Sequence, residues 1–180
     1  MDSLRGQLLI AGPALDDPNF HRTVVLICAH GDEGALGLVL NRPSPLAVGD
    51  AVPELSAALD EGGRLWVGGP VQPASVVLLA DFVDPGESLV VAGDLGLVTD
   101  GSSLDDLVDR TRRVRAFIGH SGWGPGQLEA EVERDDWIVA PLRAADPFDH
   151  DAESMWSRAL QAMGGRYALV ARMPEDPSVN

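Results

Sequence analysis

The stretch Thr23-Val24-Val25-Leu26-Ile27-Cys28-Ala29-His30-Gly31-Asp32-Glu33-Gly34-Ala35-Leu36-Gly37-Leu38-Val39-Leu40 decides the fold class. Two apolar runs, residues 23–29 and 36–40, flank a short polar segment with glycine at both 31 and 34. Aliphatic residues at nearly every position describe strands covered on both faces. A glycine-bearing connection of this length suits a hairpin. The chain therefore begins as a sheet, and its interior is built from strands.

Working outward, the same pattern recurs at residues 7–11, 65–67, 75–80, 89–92, 115–118, 137–140 and 167–171, each bounded by glycine, proline or short polar turns. Three helices interrupt the strands. Residues 52–60 place Val52, Leu55 and Leu59 on one face and stop at Gly62-Gly63. A second helix starts at Ser102-Ser103 and runs to about Arg113, with Asp105 and Asp106 early and Arg110, Arg112 and Arg113 late, as the helix dipole prefers. The third runs from about Asp151 to Met163, with an apolar stripe of Ala152, Met155, Trp156, Ala159, Leu160 and Met163, and ends at Gly164-Gly165. Many strands with about three helices, not strictly alternating, predict an α+β fold: one domain over residues 1–173 with a mixed, largely antiparallel sheet. Residues 174–180, rich in proline and acid, are expected to form a flexible tail.

Composition narrows the chemistry. In 180 residues there are 13 Lys+Arg against 28 Asp+Glu, a net charge of −15, and 45% of residues are hydrophobic. Such a chain can bury a genuine core. All of the basic residues are arginine, which removes Schiff-base chemistry and the phosphate-binding lysine of P-loops. The acidity argues against a nonspecific nucleic-acid binder. The lone cysteine, Cys28, sits inside an apolar strand and reads as an inert core thiol. The N-terminal residues lack the pattern of a secretory signal, and no apolar run approaches membrane-spanning length, so the expected location is the cytoplasm, away from any membrane.

Four segments could carry function. Asp17-Pro18-Asn19-Phe20, followed by Arg22, is turn chemistry that either caps the next strand or presents Asn19 and Arg22 at the edge of a site. Asn41-Arg42-Pro43 closes a buried strand, with Pro43 expected to stop the ladder; Arg42 is suited either to an internal ion pair or to clamping a carboxylate or phosphate. Gly68-Gly69-Pro70-Val71 is a close turn between apolar strands. Gly119-His120-Ser121-Gly122-Trp123-Gly124-Pro125-Gly126-Gln127-Leu128-Glu129 packs glycines around a tryptophan, as in a chain folded tightly on an aromatic plate or forming an anion-binding nest.

In this order, Asp17-Pro18-Asn19-Phe20, residues 34–43, Gly68-Gly69-Pro70-Val71 and residues 122–129 resemble the YqgE/AlgH family of bacterial proteins. The resemblance spans the chain from Gly6 to the helix bearing Trp156. It implies a single domain of mixed strands and helices, and it implies no reaction. Some members carry the label of transcriptional regulator. His120-Ser121 departs from the family pattern, which more often has an aromatic or small residue followed by alanine.

Three alternatives frame the function. A hydrolase would use Ser121 with Asp136 or Asp146 and His150, but Trp123 stands where the nucleophile elbow G-x-S-x-G needs a small residue. Metal sites could be drawn from His30, Asp32 and Glu33, or from Asp146, Asp149, His150 and Asp151; neither has a recognised spacing, and neither a metal nor any cofactor is expected. A regulator would need a basic face, and only Arg110, Arg112, Arg113 and Arg115 cluster. The reading carried forward is a binding or interaction protein rather than an enzyme. Its expected site draws together Asp17, Asn19, Phe20, Asn41, Arg42, Gly122, Trp123, Gly124, Gln127 and Glu129, around a small molecule or a segment of a partner protein.

Overall fold

The computed structural model describes residues 1–48, 59, 63–99, 101 and 103–175. The strands are β1 (Leu8–Ala11), β2 (Val24–Gly31), β3 (Gly34–Val39), β4 (Pro43–Ala47), β5 (Arg64–Val67), β6 (Val71–Phe82), β7 (Leu89–Ala92), β8 (Leu95–Leu97), β9 (Thr111–Trp123) and β10 (Trp137–Ala140). The helices among the described residues are α1 (Leu104–Arg110), α2 (Gln127–Glu133), α3 (Ala152–Met163) and α4 (Gly165–Val170), with a single 3₁₀ turn at Leu142–Ala144.

The opening stretch is the hairpin its composition predicts. β2 and β3 pair antiparallel from Val25↔Val39 to Gly31↔Gly34, with a bulge between Ile27 and Ala29. From there the sheet runs β10-β1-β2-β3-β9-β6-β8-β7, with β5 beside β9 and β4 beside β5. Among the described residues all pairings are antiparallel except β5 with β9. The fold is therefore α+β with a mixed, largely antiparallel sheet.

β9 joins the two halves. β6 lies along one of its edges, from Phe82↔Thr111 to Val71↔His120. On the other edge β5 pairs in parallel at residues 116–118, and β3 then takes over at residues 121–123. The change of partner falls where Gly68 and Gly69 cross Gly119. A Cβ on Gly119 (φ +68) would lie 2.3 Å from the Gly69 carbonyl oxygen, and one on Gly69 (φ +152) would lie 2.3 Å from that of His120. Both backbones need hydrogen as the side chain here, which accounts for the paired glycine motifs.

The sheet has two apolar faces. The larger core gathers β1, β2 and β3 with Trp66, Leu79, Phe117, Trp123, Trp137 and the buried stripe of α3, namely Met155, Trp156, Ala159 and Leu160. Burying one such leucine side chain contributes about 1.5–3 kcal/mol. The alternate residues Leu65, Ala80, Phe82, Val114 and Ala116 face a smaller core with Val48 and Leu59.

Several expectations need correction. Residues 167–171 belong to α4 and the turn after it, not to a strand; Gly164 and Gly165, both at positive φ, end α3 and start α4 at once. Tyr167 and Val170, one helical turn apart, lean on the core while Leu169 is exposed, a pattern that five apolar-rich residues cannot distinguish from a strand. α2 was unexpected, and with α4 it raises the helix count above three. α1 ends at Arg110, so Arg112 and Arg113 lie on β9 and owe nothing to a helix dipole. Pro43 does not end the ladder: it opens β4 and pairs with Trp66, as proline can at the first position of a strand. Residues 119–123 are the end of β9 and not an irregular loop. The helix expected at 52–60 falls outside the described residues apart from Leu59, as do residues 176–180 of the expected tail.

Candidate functional site

The residues singled out from sequence fall into two constellations. The first surrounds Trp123, which is buried with its ring centroid 6.1 Å from that of Trp137 and 6.2 Å from that of Phe20. Gly37 makes room for it, since a Cβ there would sit 3.2 Å from the indole. One carboxylate pins the cluster. Glu131 Oε2 accepts from both indoles, at 2.8 Å from Trp123 Nε1 and 2.9 Å from Trp137 Nε1, while Oε1 accepts from Gln127 Nε2 at 2.9 Å. Gln127 Oε1 in turn accepts from the Gly124 amide at 3.0 Å. Gly122 is in the ladder opposite Leu36, and the Gly124 and Gln127 amides find acceptors within the chain. Glu131 and Trp137 were not singled out from sequence; the i, i+4 spacing of Gln127 and Glu131 on one helix face was the available signal.

Glu129, on the same helix, turns toward the N-terminal segment. His30 Nδ1 accepts from the Leu4 amide at 2.9 Å, so Nε2 carries the proton and donates to Glu129 Oε1 at 2.9 Å. The backbone amide of Glu129 and then the His30 imidazole hold this carboxyl below its usual range. His30 is thus a tether between the N-terminal segment and α2.

The second constellation is open. Asp17 Oδ1 accepts from the Asn19 amide at 2.8 Å, shaping the turn that leads to Phe20 and Arg22. Asn41 is buried and structural: its Oδ1 accepts from the Val24 amide at 3.0 Å and its Nδ2 donates to the Arg22 carbonyl at 2.9 Å. That pairing holds Arg22 in the left-handed region, at φ +53, a conformation costly for a side chain this size. The Arg22 guanidinium lies 4.5 Å above the Trp156 ring and donates to the Met173 carbonyl. Trp156 itself is fixed by a 2.9 Å bond from its indole to the Ala11 carbonyl.

A groove runs past these residues as three adjoining clefts. The middle one, about 320 Å³, is lined by Arg22, Asn41, Arg42, Glu153, Trp156 and Glu175. It shares Arg42 with a cleft of about 180 Å³ bounded by Asn19, Val67, Gly69 and Pro70. It shares Arg22, Trp156 and Glu175 with a smaller pocket near Gly12 and His21. Arg42 is half-buried and donates to the His21 carbonyl; burial pushes its guanidinium below the ordinary value, and the charge of Glu175 works against that. Among the described residues, neither Arg22 nor Arg42 has a carboxylate at ion-pair distance, whereas Arg112, Arg113, Arg134 and Arg158 each do. The structure thus brings Asn19 and Arg42 together at the groove. Gly122, Trp123, Gly124, Gln127 and Glu129 are not among the residues lining it, and Phe20, next to Asn19, packs on Trp123.

The remaining candidates have structural roles. The Ser121 hydroxyl is fully buried and donates to the Gly68 carbonyl at 3.0 Å. Asp136 pairs with Arg134, Asp146 with Arg113, and His150 faces Arg115, so none of them serves that serine. Burial pushes the Cys28 thiol up to about 12. The arginines of β9 are absorbed internally. Arg112 reaches Asp81 and Asp94, and Arg113 reaches Asp81 and Asp146. Buried Arg115 stacks 4.0 Å from Trp66 and donates to the carbonyls of Pro147 and Asp149. Among the described residues, no three His, Cys, Asp or Glu side chains gather as a cation site requires. No described helix is long and apolar enough to cross a membrane.

Comparison with known proteins agrees with the motif order. The AlgH-like family profile (DUF179) matches residues 8–168. The chain belongs to the AlgH-like family. A UPF0301 protein of Streptomyces coelicolor is 40% identical over 189 residues, an alignment covering 100% of this chain and 97% of that one. A UPF0301 protein of Chlorobaculum tepidum is 40% identical over 182 residues, covering 97% and 95%. Among solved structures, a Corynebacterium diphtheriae protein superposes with a TM-score of 0.82 at 27% identity, covering 95% of this chain and 92% of that one. The AlgH protein of Pseudomonas aeruginosa superposes with a TM-score of 0.72 at 30% identity, covering 96% and 95%.

Proposed function

We propose that this AlgH-like chain is a binding protein whose groove takes a small molecule through a carboxylate or phosphate group. One observation carries the reading: Arg22 and Arg42 line the same cleft without a carboxylate at ion-pair distance among the described residues, in a chain with 28 acidic residues. Guanidinium groups left in this way, one of them partly desolvated, suit bidentate contact with an anionic group. Asn19 extends the polar lining, and the strained Arg22 is held in place by Asn41 and Trp156. Trp123 supports the groove through Phe20, while Gln127 and Glu129 are engaged with Glu131 and His30 rather than with the ligand.

The transcription-linked alternative has less support. The basic cluster on β9 is occupied by aspartates and carbonyls, and the net charge of −15 opposes a phosphate backbone. Titration calorimetry with inorganic phosphate and with succinate tests the binding reading. Saturable binding to one site by at least one of them, weakened tenfold or more in Arg42→Ala, is expected. Binding that Arg42→Ala leaves intact refutes the groove as its location.

A further inference from the structure

We infer that the segment Met173-Pro174-Glu175 is an intramolecular occupant of the groove, with Glu175 competing for the place an anionic ligand takes. The inference rests on the binding reading above and assigns that site its regulation. After α4 the chain turns at Ala171 and returns to the groove, where the Met173 carbonyl accepts from the Arg22 guanidinium. Glu175 lines both the middle cleft, with Arg22 and Arg42, and the smaller pocket with His21 and Trp156. A main-chain carbonyl on one arginine and a carboxylate beside the other reproduce the contacts expected of an acidic ligand. Neither contact is an ion pair. Arg22 meets a neutral acceptor, and Glu175, itself exposed, stops short of ion-pair distance from Arg42. A segment placed in this way lowers the ligand's affinity without closing the site, because a ligand must displace one carboxylate and one carbonyl to gain both guanidiniums.

Glu153 is the other acid lining the middle cleft. It is the first-turn acid of α3 and belongs to the fixed scaffold, so its effect on a ligand is constant. Glu175 lies beyond α4, on a segment whose hold on the groove among the described residues is the Arg22 bond to Met173. Displacement is therefore available to Glu175 and not to Glu153.

Phosphate and succinate titrations of the 180-residue wild type, Glu175→Gln, Arg42→Gln and the double variant decide the matter, with circular dichroism confirming that each chain is folded. Glu175→Gln is expected to bind at least about fivefold more tightly, the lower end of usual coupling between sites. The double variant is expected to lose that gain. Equal binding by wild type and Glu175→Gln, abolished by Arg42→Gln, overturns the competition while leaving the site standing. Absence of binding by all four chains overturns the site and the competition together. A tightening in Glu175→Gln that persists in the double variant also overturns the inference, because the gain would then arise away from Arg42.

Discussion

The tryptophan cluster and the arginine groove are neighbours joined by Phe20, yet they treat polar groups in opposite ways. Around Trp123 the side-chain donors have found acceptors: two indoles and an amide converge on Glu131, and Gln127 holds the Gly124 amide. In the groove, two guanidiniums rest on main-chain carbonyls and share a cleft of about 320 Å³. A satisfied network fixes one conformation, whereas guanidiniums that no described carboxylate approaches to ion-pair distance are suited to an anionic ligand. A glycine- and tryptophan-rich motif can therefore be the support of a site whose contact residues lie elsewhere.

The largest expected effect strikes the closed region. Trp123→Ala removes a buried ring and one indole bond, and should cost about 3–5 kcal/mol in urea unfolding. A loss below about 1 kcal/mol would mean that the cluster does not hold the fold together. Glu131→Ala comes next, at roughly 2 kcal/mol, because two indole donors lose a shared charged acceptor. If phosphate or succinate affinity fell further than stability in either variant, the division between support and contact would be wrong.

Arg42→Ala should show the reverse balance. A half-buried side chain with one carbonyl acceptor is expected to change stability by only about 1 kcal/mol, alongside the loss of affinity described above. A destabilisation as large as that of Trp123→Ala would place Arg42 among the structural residues.

The smallest effect is a pH dependence in the tether beside the cluster. Glu129, Asp149 and Asp151 lie below their ordinary values of 4.5, 3.8 and 3.8. At Glu129 the causes are its backbone amide and His30. At Asp149 burial pushes upward but is outweighed by bonds from the Asp151 amide and Arg158; at Asp151 the Ser154 hydroxyl and amide pull downward. Carboxyls depressed in the folded state are protonated first in the unfolded chain. Their stabilisation is full above the ordinary values and drains away as pH falls through the folded ones. The stability gap between wild type and Glu129→Gln should therefore narrow on acidification below 4.5. A gap that widens contradicts the assigned tether.

The opening hairpin was legible because strands buried on both faces leave an unbroken aliphatic record, and the α3 stripe because its spacing repeats over twelve residues. Asp151 as the cap of α3 was also local, its carboxylate accepting from the Ser154 amide at 3.2 Å. Short segments failed for the same reason in reverse. Residues 167–171 span too few positions to separate two periods, and residues 119–123 were glycine-rich for the crossing with Gly68 and Gly69 rather than for a loop.

The sequence alone determined the strands of the first hairpin, the α3 helix, the acidity that argues against nucleic-acid binding and the motifs of the AlgH-like family. All of these depend on residues close together in the chain or on totals over it. Tertiary structure alone decided that Glu131 serves two tryptophans, that Trp156 lies beneath Arg22, and that Arg112 and Arg113 of β9 meet aspartates while Arg22 and Arg42 rest on carbonyls. Those outcomes turn on distances between residues as many as 151 positions apart, as between Arg22 and Met173. No local pattern encodes which of 28 acids will meet which of 13 arginines. The sheet order does, by carrying β9 past Asp81 and folding α3 and the chain after α4 against the strand ends that bear Arg22 and Arg42.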